Sequence, residues 1–277
     1  MLADLGQDEQ GAKVLAGGQS LVPMMSMRLA APGHLVDINH VPDLAGVAVG
    51  ADDVRVGALA RHRQVELDEA AYDAVPLLRR ALQHVAHPTI RNRGTTVGSL
   101  VHADPAAEMT AVLALLGGSV ELLGPEGDRT VAAADFFTGP MSSATASDEL
   151  AVAARFPRLP PGSGSAFVEL ARRHGDYAMC GVAATVTLDG ELTVTAAKVA
   201  LICVGDGPVV VDLGPATTGG GGLDSAALRD LVDEAIEPEA DIHATADYRR
   251  HLALVLTGRA VEQARDDARA RHQERAA

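Results

Sequence analysis

Two short segments carry residue types and spacing suited to holding an anion. One is Ala16-Gly17-Gly18-Gln19-Ser20. The other, well downstream, is Thr95-Thr96-Val97-Gly98-Ser99, followed by His102-Ala103-Asp104-Pro105. Each follows an apolar or β-prone run and leads into a segment with helical spacing. Glycine reaches backbone angles that other residues avoid and puts no side chain between main chain and ligand. Such a loop can therefore turn its N–H groups toward a phosphate. One loop of this kind is a common turn. Two, each ending in a hydroxyl residue, suit a long ligand with a pyrophosphate in its middle, which is the shape of a dinucleotide.

Other chemistries find less support. His84 and His87 have a spacing open to metal ligation, but no cysteine or acidic cluster completes a coordination set, so they read as a helix end and no metal site is expected. His102 reads as a side chain that braces the second loop. Arg172-Arg173-His174 is either a partner patch or a solvated turn. Cys180 and Cys203 are the only cysteines, too few for an iron–sulfur cluster or a disulfide framework, and read as small core residues of a protein in a reducing cytoplasm. No Gly-x-Ser-x-Gly elbow occurs, and no residue is assigned a catalytic role.

With 277 residues the chain is long enough for one large or two ordinary domains. Apolar residues make up 47%, but aromatics only 3% with no Trp, so the core must be built from Ala, Val and Leu. A net charge of −14 argues against nucleic-acid binding, which needs clustered Lys and Arg. Neither a secretory signal nor a bilayer-length apolar run is present.

The positioning elements follow from periodicity. Lys13 to Ala16 is a strand running into the first loop, Met24 to Leu29 has helical spacing, and Leu35 to Ile38 and Val54 to Ala58 read as strands. Tyr72 to Ala86 predicts one helix, ended by His87-Pro88. Pro105 to Leu116 predicts an apolar helix stopped by Gly117-Gly118. Val120 to Leu123 and Thr130-Val131 predict a strand pair around Pro125 to Asp128. Pro157 to Ser165 is a linker by composition. Beyond it, Ala183 to Leu188 and Glu191 to Ala196 flank the hairpin signal Asp189-Gly190. Val199 to Val204 supplies a third strand. Leu223-Asp224-Ser225 opens a helix, another runs from about Ala246 to the end, and Gly219 to Gly222 reads as a surface loop. Met1 to Gly6 reads as the second half of an amphipathic helix with no cap before it, so either the natural chain is expected to start upstream or this start codon to be misassigned.

The loops and their surroundings resemble one family. Ala16 to Pro23 with Arg28-Leu29 resembles the first flavin loop of the FAD-binding medium subunits of molybdenum hydroxylases, the carbon monoxide dehydrogenase medium-subunit and xanthine dehydrogenase FAD-subunit family. Ile90-Arg91-Asn92-Arg93-Gly94-Thr95, continuing to His102-Ala103-Asp104-Pro105-Ala106-Ala107-Glu108, resembles the second. Arg172 to Ala178 and Ile242 to Leu252 resemble two later landmarks, in the expected order. The resemblance weakens at the N-terminus, where the family's opening strand and part of a helix are missing.

The resemblance implies an α+β chain: a vanillyl-alcohol-oxidase (PCMH)-type FAD-binding domain over 1–160, then a small domain over 161–277 with a three-stranded antiparallel sheet and a helical bundle. It implies that Ala16, Gly17, Gly18, Gln19 and Ser20 wrap the pyrophosphate of FAD. It gives Thr95, Thr96, Val97, Gly98 and Ser99 phosphate and ribityl contacts, although Val97 stands where relatives carry the first of two adjacent glycines. Asp104 or Glu108, with Glu108 favoured by motif alignment, would accept hydrogen bonds from sugar hydroxyls. Tyr177 aligns with an aromatic residue against the flavin ring, while core packing is its plain alternative.

The implied function is an FAD-carrying electron-transfer subunit, an oxidoreductase component working with a large molybdenum-cofactor subunit and a small iron–sulfur subunit, as a heterotrimer paired into a dimer. Two alternatives stand beside it. A stand-alone flavin oxidoreductase is disfavoured by the lack of a substrate-capping domain and of a covalent-flavin histidine. A flavin-free scaffold is motivated by Val97 and the missing N-terminal strand.

Overall fold

A computed structural model describes Asp4, residues 11–218 and residues 222–276. The expected helical segment Met1 to Gly6, apart from Asp4, and the glycines 219–221 lie outside the described residues. Two parallel strands open the described chain: β1 (Ala12–Leu15) and β2 (His34–Asp37), in register from Ala12 opposite His34 to Leu15 opposite Asp37. Between them lies α1 (Leu21–Ser26), which starts and ends earlier than the expected Met24 to Leu29. Pro23 sits in its first turn, where backbone N–H groups have no helical acceptor anyway, and Arg28 turns left-handed at φ 60° just beyond its end.

The main sheet of this first part has the order β3-β4-β9-β5-β6. Its strands are β3 (Val47–Val49), β4 (Asp53–Gly57), β5 (Ser119–Gly124), β6 (Gly127–Ala132) and β9 (Leu150–Pro157), and every neighbouring pair is antiparallel. A small pair, β7 (Phe137–Gly139) and β8 (Ser142–Ser143), is inserted before β9. Short helices cover the sheet: α2 (His62–Leu67), α3 (Glu69–Ala74), α4 (Pro76–Leu82), α5 (Pro88–Arg91), α6 (Thr96–His102), α7 (Glu108–Leu115) and α8 (Ala133–Phe136). The single helix expected over Tyr72 to Ala86 is therefore two. Pro76 has no N–H and pushes the preceding Val75 to φ −141°, ψ 78°, so the chain restarts with Pro76 as first helical residue. Pro88 likewise begins α5, after a helix that has already ended at Leu82. The apolar helix expected from Pro105 begins at Glu108, because the Asp104 carboxylate accepts the Ala106 N–H at 2.8 Å and folds the approach into a turn.

The second part is a sheet of β10 (Ser163–Ala171), β11 (Ala178–Leu188), β12 (Val194–Ile202) and β13 (Val209–Asp212), paired antiparallel in that order. Three strands are long, and β13 adds a short fourth at the edge. The segments expected as separate strands at Glu191 to Ala196 and Val199 to Val204 fall on one strand, β12, with Glu191 to Thr193 in the turn before it and Cys203-Val204 in a bend after it. The Asp189-Gly190 turn is longer than two residues: the Asp189 carboxylate accepts the N–H groups of Glu191 and Thr193, both at 2.9 Å. β10 lies partly inside the stretch read as a linker. Gly164 within it is required because a Cβ there would run into the backbone of Ala264 and Ala268 on the C-terminal helix.

Two helices pack on this sheet, α9 (Ser225–Ala235), capped by Asp224, and α10 (Ala246–Ala276). One sheet face supplies Val182, Ala184, Val186 and Leu201 to a core shared with α9 and α10. The other supplies Phe167, Ala183, Ala200 and Ile202 to the core of the first part, so the two parts meet across packed side chains. An ion pair reinforces the join: Arg80 of α4 contacts Asp267 of α10 at 2.6 Å, and Asp267 also accepts the Ser165 N–H at 2.9 Å. These cores are built chiefly of Ala, Val and Leu, as the composition required. Among the described residues no helix is long and apolar enough to cross a membrane.

Candidate functional site

The first loop leaves β1 and turns into α1. Gly18 has φ +71°, a left-handed conformation that a side chain would strain. Gly17 is buried against the lead-in of the second loop: a Cβ on it would strike the Arg93 carbonyl oxygen and lie 2.8 Å from the Gly94 Cα. The two loops thus touch through main chain. The N–H groups of Gly18, Gln19 and Ser20 meet no protein acceptor among the described residues, and the Ser20 hydroxyl makes no cap bond to α1. Beside them is a cavity of about 340 Å³, lined by Gly17, Gly18, Gln19, Asp37, Asn39 and Arg93.

A polar relay ties this cavity together. The Asn39 amide donates to the Ala16 carbonyl at 2.8 Å and to the Asp37 carboxylate at 2.6 Å. Arg61 donates through Nη2 to Asn39 Oδ1 at 2.6 Å and through Nη1 to the Arg93 carbonyl at 2.8 Å. Burial, then the neighbouring Arg93 charge, hold the Arg61 guanidinium below its usual value, and Asp37 opposes them. The sequence reading missed Asn39 and Arg61, and named Arg93 only within the second-loop motif. The Asp-x-Asn spacing at the end of β2 is a signal that marks a side chain folding back onto the backbone.

The second loop is the first turn of α6 rather than an open loop. Thr95 is its N-cap, with Oγ1 accepting the Gly98 N–H at 3.1 Å. Thr96 is fully buried and its hydroxyl lies 3.2 Å from His62 Nδ1. Burial, with Arg91 adding to it, lowers the His62 pKa to about 4, so the imidazole is neutral. Val97 is 1% exposed in the hydrophobic core, so its side chain does not stand on the open face of the turn. Gly98 and Ser99 are the partly exposed members of the set.

At the far end of α6, Ala103 is left-handed at φ 52° and leads to Asp104. His102 is partly buried, and burial holds its imidazole below its ordinary value. Glu108 opens α7. Burial pushes its carboxyl up to about 7, with Asp104 adding to the rise and Arg91 opposing it. Across from it, Glu169 of β10 is pushed up to about 8 by burial and by the Glu108 charge, and its Oε2 is buried without a partner. Tyr177 is 66% exposed. Desolvation, with the Asp104 and Glu108 charges adding to it, raises its hydroxyl above the ordinary value. Core packing is thereby excluded for Tyr177, and Glu169 joins the cluster without having been singled out in the sequence.

The remaining candidates have structural surroundings. The His84 ring lies 5.3 Å from that of Phe167, and His87 meets His174 edge-on at 6.0 Å. Cys180 and Cys203 are free and buried, and burial pushes the Cys180 thiol up to about 12.

These groups fit FAD. Unclaimed N–H donors and Arg93 border a glycine cradle that a side chain would close, with the Arg61 guanidinium bonded to Asn39 of the same lining, which suits a pyrophosphate. Carboxyls and an exposed aromatic lie at the other end, suited to hydroxyls and a flat ring. Bound FAD supplies the redox chemistry, and the protein's part is to hold and orient it.

The comparisons agree with this geometry. Residues 1–159 match the FAD binding domain in molybdopterin dehydrogenase, and residues 165–264 match the CO dehydrogenase flavoprotein C-terminal domain. The chain is 36% identical to subunit alpha of the 6-hydroxypseudooxynicotine dehydrogenase complex of Paenarthrobacter nicotinovorans, covering 97% of this chain and 91% of that one. It is 38% identical to the carbon monoxide dehydrogenase medium chain of Afipia carboxidovorans, over 96% and 92%. The solved carbon monoxide dehydrogenase of Hydrogenophaga pseudoflava superposes with a TM-score of 0.89 at 34% identity, over 98% and 93%. With both parts matched in order and over nearly full length, the chain belongs to the family of FAD-binding medium subunits of molybdenum hydroxylases, the flavoprotein components of these oxidoreductases.

Proposed function

We propose that the chain holds FAD along the two loops and carries electrons through it between a small iron–sulfur subunit and an external acceptor. A large molybdenum-cofactor subunit oxidises the substrate, and the assembly is a dimer of heterotrimers in the cytoplasm. The chain divides at 160 into the flavin domain and the smaller domain. Ala16, Gly17, Gly18, Gln19 and Ser20 take the pyrophosphate, with Arg61 and Arg93 supplying positive charge. Thr95, Thr96, Val97, Gly98 and Ser99 form the second phosphate and ribityl contact, with Val97 contributing main chain because its side chain is buried, while the Thr96 N–H is held by the Ala60 carbonyl at 3.3 Å. Asp104 and Glu108 accept from sugar hydroxyls, and Tyr177 covers the ring. Substrate choice belongs to another subunit.

The observation that carries this reading is the row of unclaimed N–H donors at Gly18, Gln19 and Ser20 beside a cavity that extends to Arg93, in the lead-in to the second loop. The test is chromatographic identification of the cofactor released by acid from protein purified with its co-expressed partner subunits. FAD in a one-to-one ratio is expected, and FMN or no flavin in well-folded protein would refute it.

A further inference from the structure

Arg249, in the first turns of α10, is 5% exposed, far from the surface position usual for arginine. Its Nη1 donates to the carbonyl oxygens of Met179 at 2.8 Å and Cys203 at 3.3 Å, and its Nη2 donates to Asp241 Oδ2 at 2.6 Å. Asp241 is itself fixed, its Oδ1 accepting the N–H groups of His243 and Ala244 at 2.8 and 3.0 Å. The guanidinium therefore joins two separate segments of the chain, a task suited to a rigid fork of donors.

Both segments lead to the candidate flavin site. Met179 lies at the start of β11, two residues beyond Tyr177. Cys203 follows β12 with φ +65°, its thiol donating to the Ala178 carbonyl at 3.2 Å. The Cys203 N–H donates to the Pro105 carbonyl at 2.9 Å, inside the stretch from Asp104 to Glu108. One buried side chain thus connects the strand entry that bears Tyr177 to the turn that bears the two carboxyls.

We propose that Arg249 is a positioning residue for the flavin site, setting Tyr177 relative to Asp104 and Glu108 from the neighbouring domain. This rests on the assignment of those three residues to FAD. It makes the second domain part of the flavin site even though the phosphate loops lie wholly in the first.

The test uses the full chain purified with its partner subunits, in the variants Arg249→Lys, Asp241→Asn and, as control, Arg250→Lys. Arg250 is the neighbouring arginine, paired at 2.7 Å with Asp233 on the exposed side of α10. Flavin content, the FAD dissociation constant, the visible absorption bands and the melting temperature are measured. Arg249→Lys keeps the charge but loses the fork, so FAD should bind about tenfold more weakly with displaced bands. Asp241→Asn should act in the same direction and more mildly, and it decides the matter if Arg249→Lys fails to fold. Arg250→Lys should leave flavin binding unchanged. A lowered melting temperature with unaltered affinity and bands in both Arg249→Lys and Asp241→Asn would overturn the role of Arg249 alone. Wild-type protein without FAD would overturn the flavin reading and this role with it.

Discussion

At the first loop, Ser20 stands at the head of α1 with its hydroxyl free of any cap bond, and none of the residues of α1 is buried. At the second, Thr95 caps α6, Thr96 bonds to a buried histidine, and Val97 and Leu100 sit in the core. In sequence the two segments look equivalent, a glycine followed by a hydroxyl residue before a helix. In the fold, the first presents its donors outward and the second is tied inward. A loop can turn its polar groups to a ligand only where the surrounding structure does not already use them. The second loop brings rigidity, and the first brings unclaimed donors.

Substitutions can break this comparison. The largest effect is expected at Gly17, where even a methyl group meets the fixed main chain of Arg93 and Gly94. Gly17→Ala should cost about 2 kcal/mol or more and release FAD, because it drives the loops apart. Thermal melting and flavin content, read together, check this. A stable, flavin-loaded variant would mean that the loops separate without consequence.

Next in size is the contrast of the two hydroxyls. Thr95→Ala removes a helix cap and should cost about 1 kcal/mol. Ser20→Ala removes no cap bond and should change stability by less than about 0.5 kcal/mol while weakening FAD binding. Equal losses of stability in the two variants would mean that both hydroxyls cap their helices alike.

The acid cluster gives a pH dependence. Glu108 and Glu169 have folded-state values of about 7 and about 8 against an ordinary 4.5. The folded protein therefore holds protons that the unfolded chain has released, and stability falls as pH rises from about 4.5 through these values. His62 acts oppositely: its value of about 4 makes stability fall as pH drops below 6.5. Among the described residues with shifted values, only these carboxyls contribute between pH 6.5 and 8. The melting temperature of flavin-free protein should decline across that window, and Glu169→Gln should flatten the decline. An undiminished slope in the variant would remove Glu169 as its source.

The smallest change in stability is expected at Tyr177. Because it is 66% exposed, Tyr177→Ala should shift stability by less than about 0.5 kcal/mol. The bound-flavin absorbance should nevertheless change, as an aromatic face is lost from the ring. A spectrum identical to wild type would place Tyr177 outside the site.

The sequence by itself determined the strands leading into the first loop, the Ala/Val/Leu core, the order of the two parts and the family. These depend on local periodicity, composition and ordered motifs, which survive without knowledge of neighbours. It also placed Gly17, Gly18, Gly98, Glu108 and Tyr177 among the candidates. It misread the helix around Val75, where the choice between one helix and two lies in the clash that Pro76 makes with the preceding turn. It took the start of β10 for a linker, because Gly164 serves a helix about a hundred positions away in the chain. Only the tertiary structure decided that Val97 faces the core and that Asn39 and Arg61 bind the two loops together. The same holds for Glu169 opposite Glu108 and for Arg249 linking the strand ends beside Tyr177. Each of these pairings joins residues far apart along the chain, and their chemistry arises from burial and distance, which no local pattern encodes.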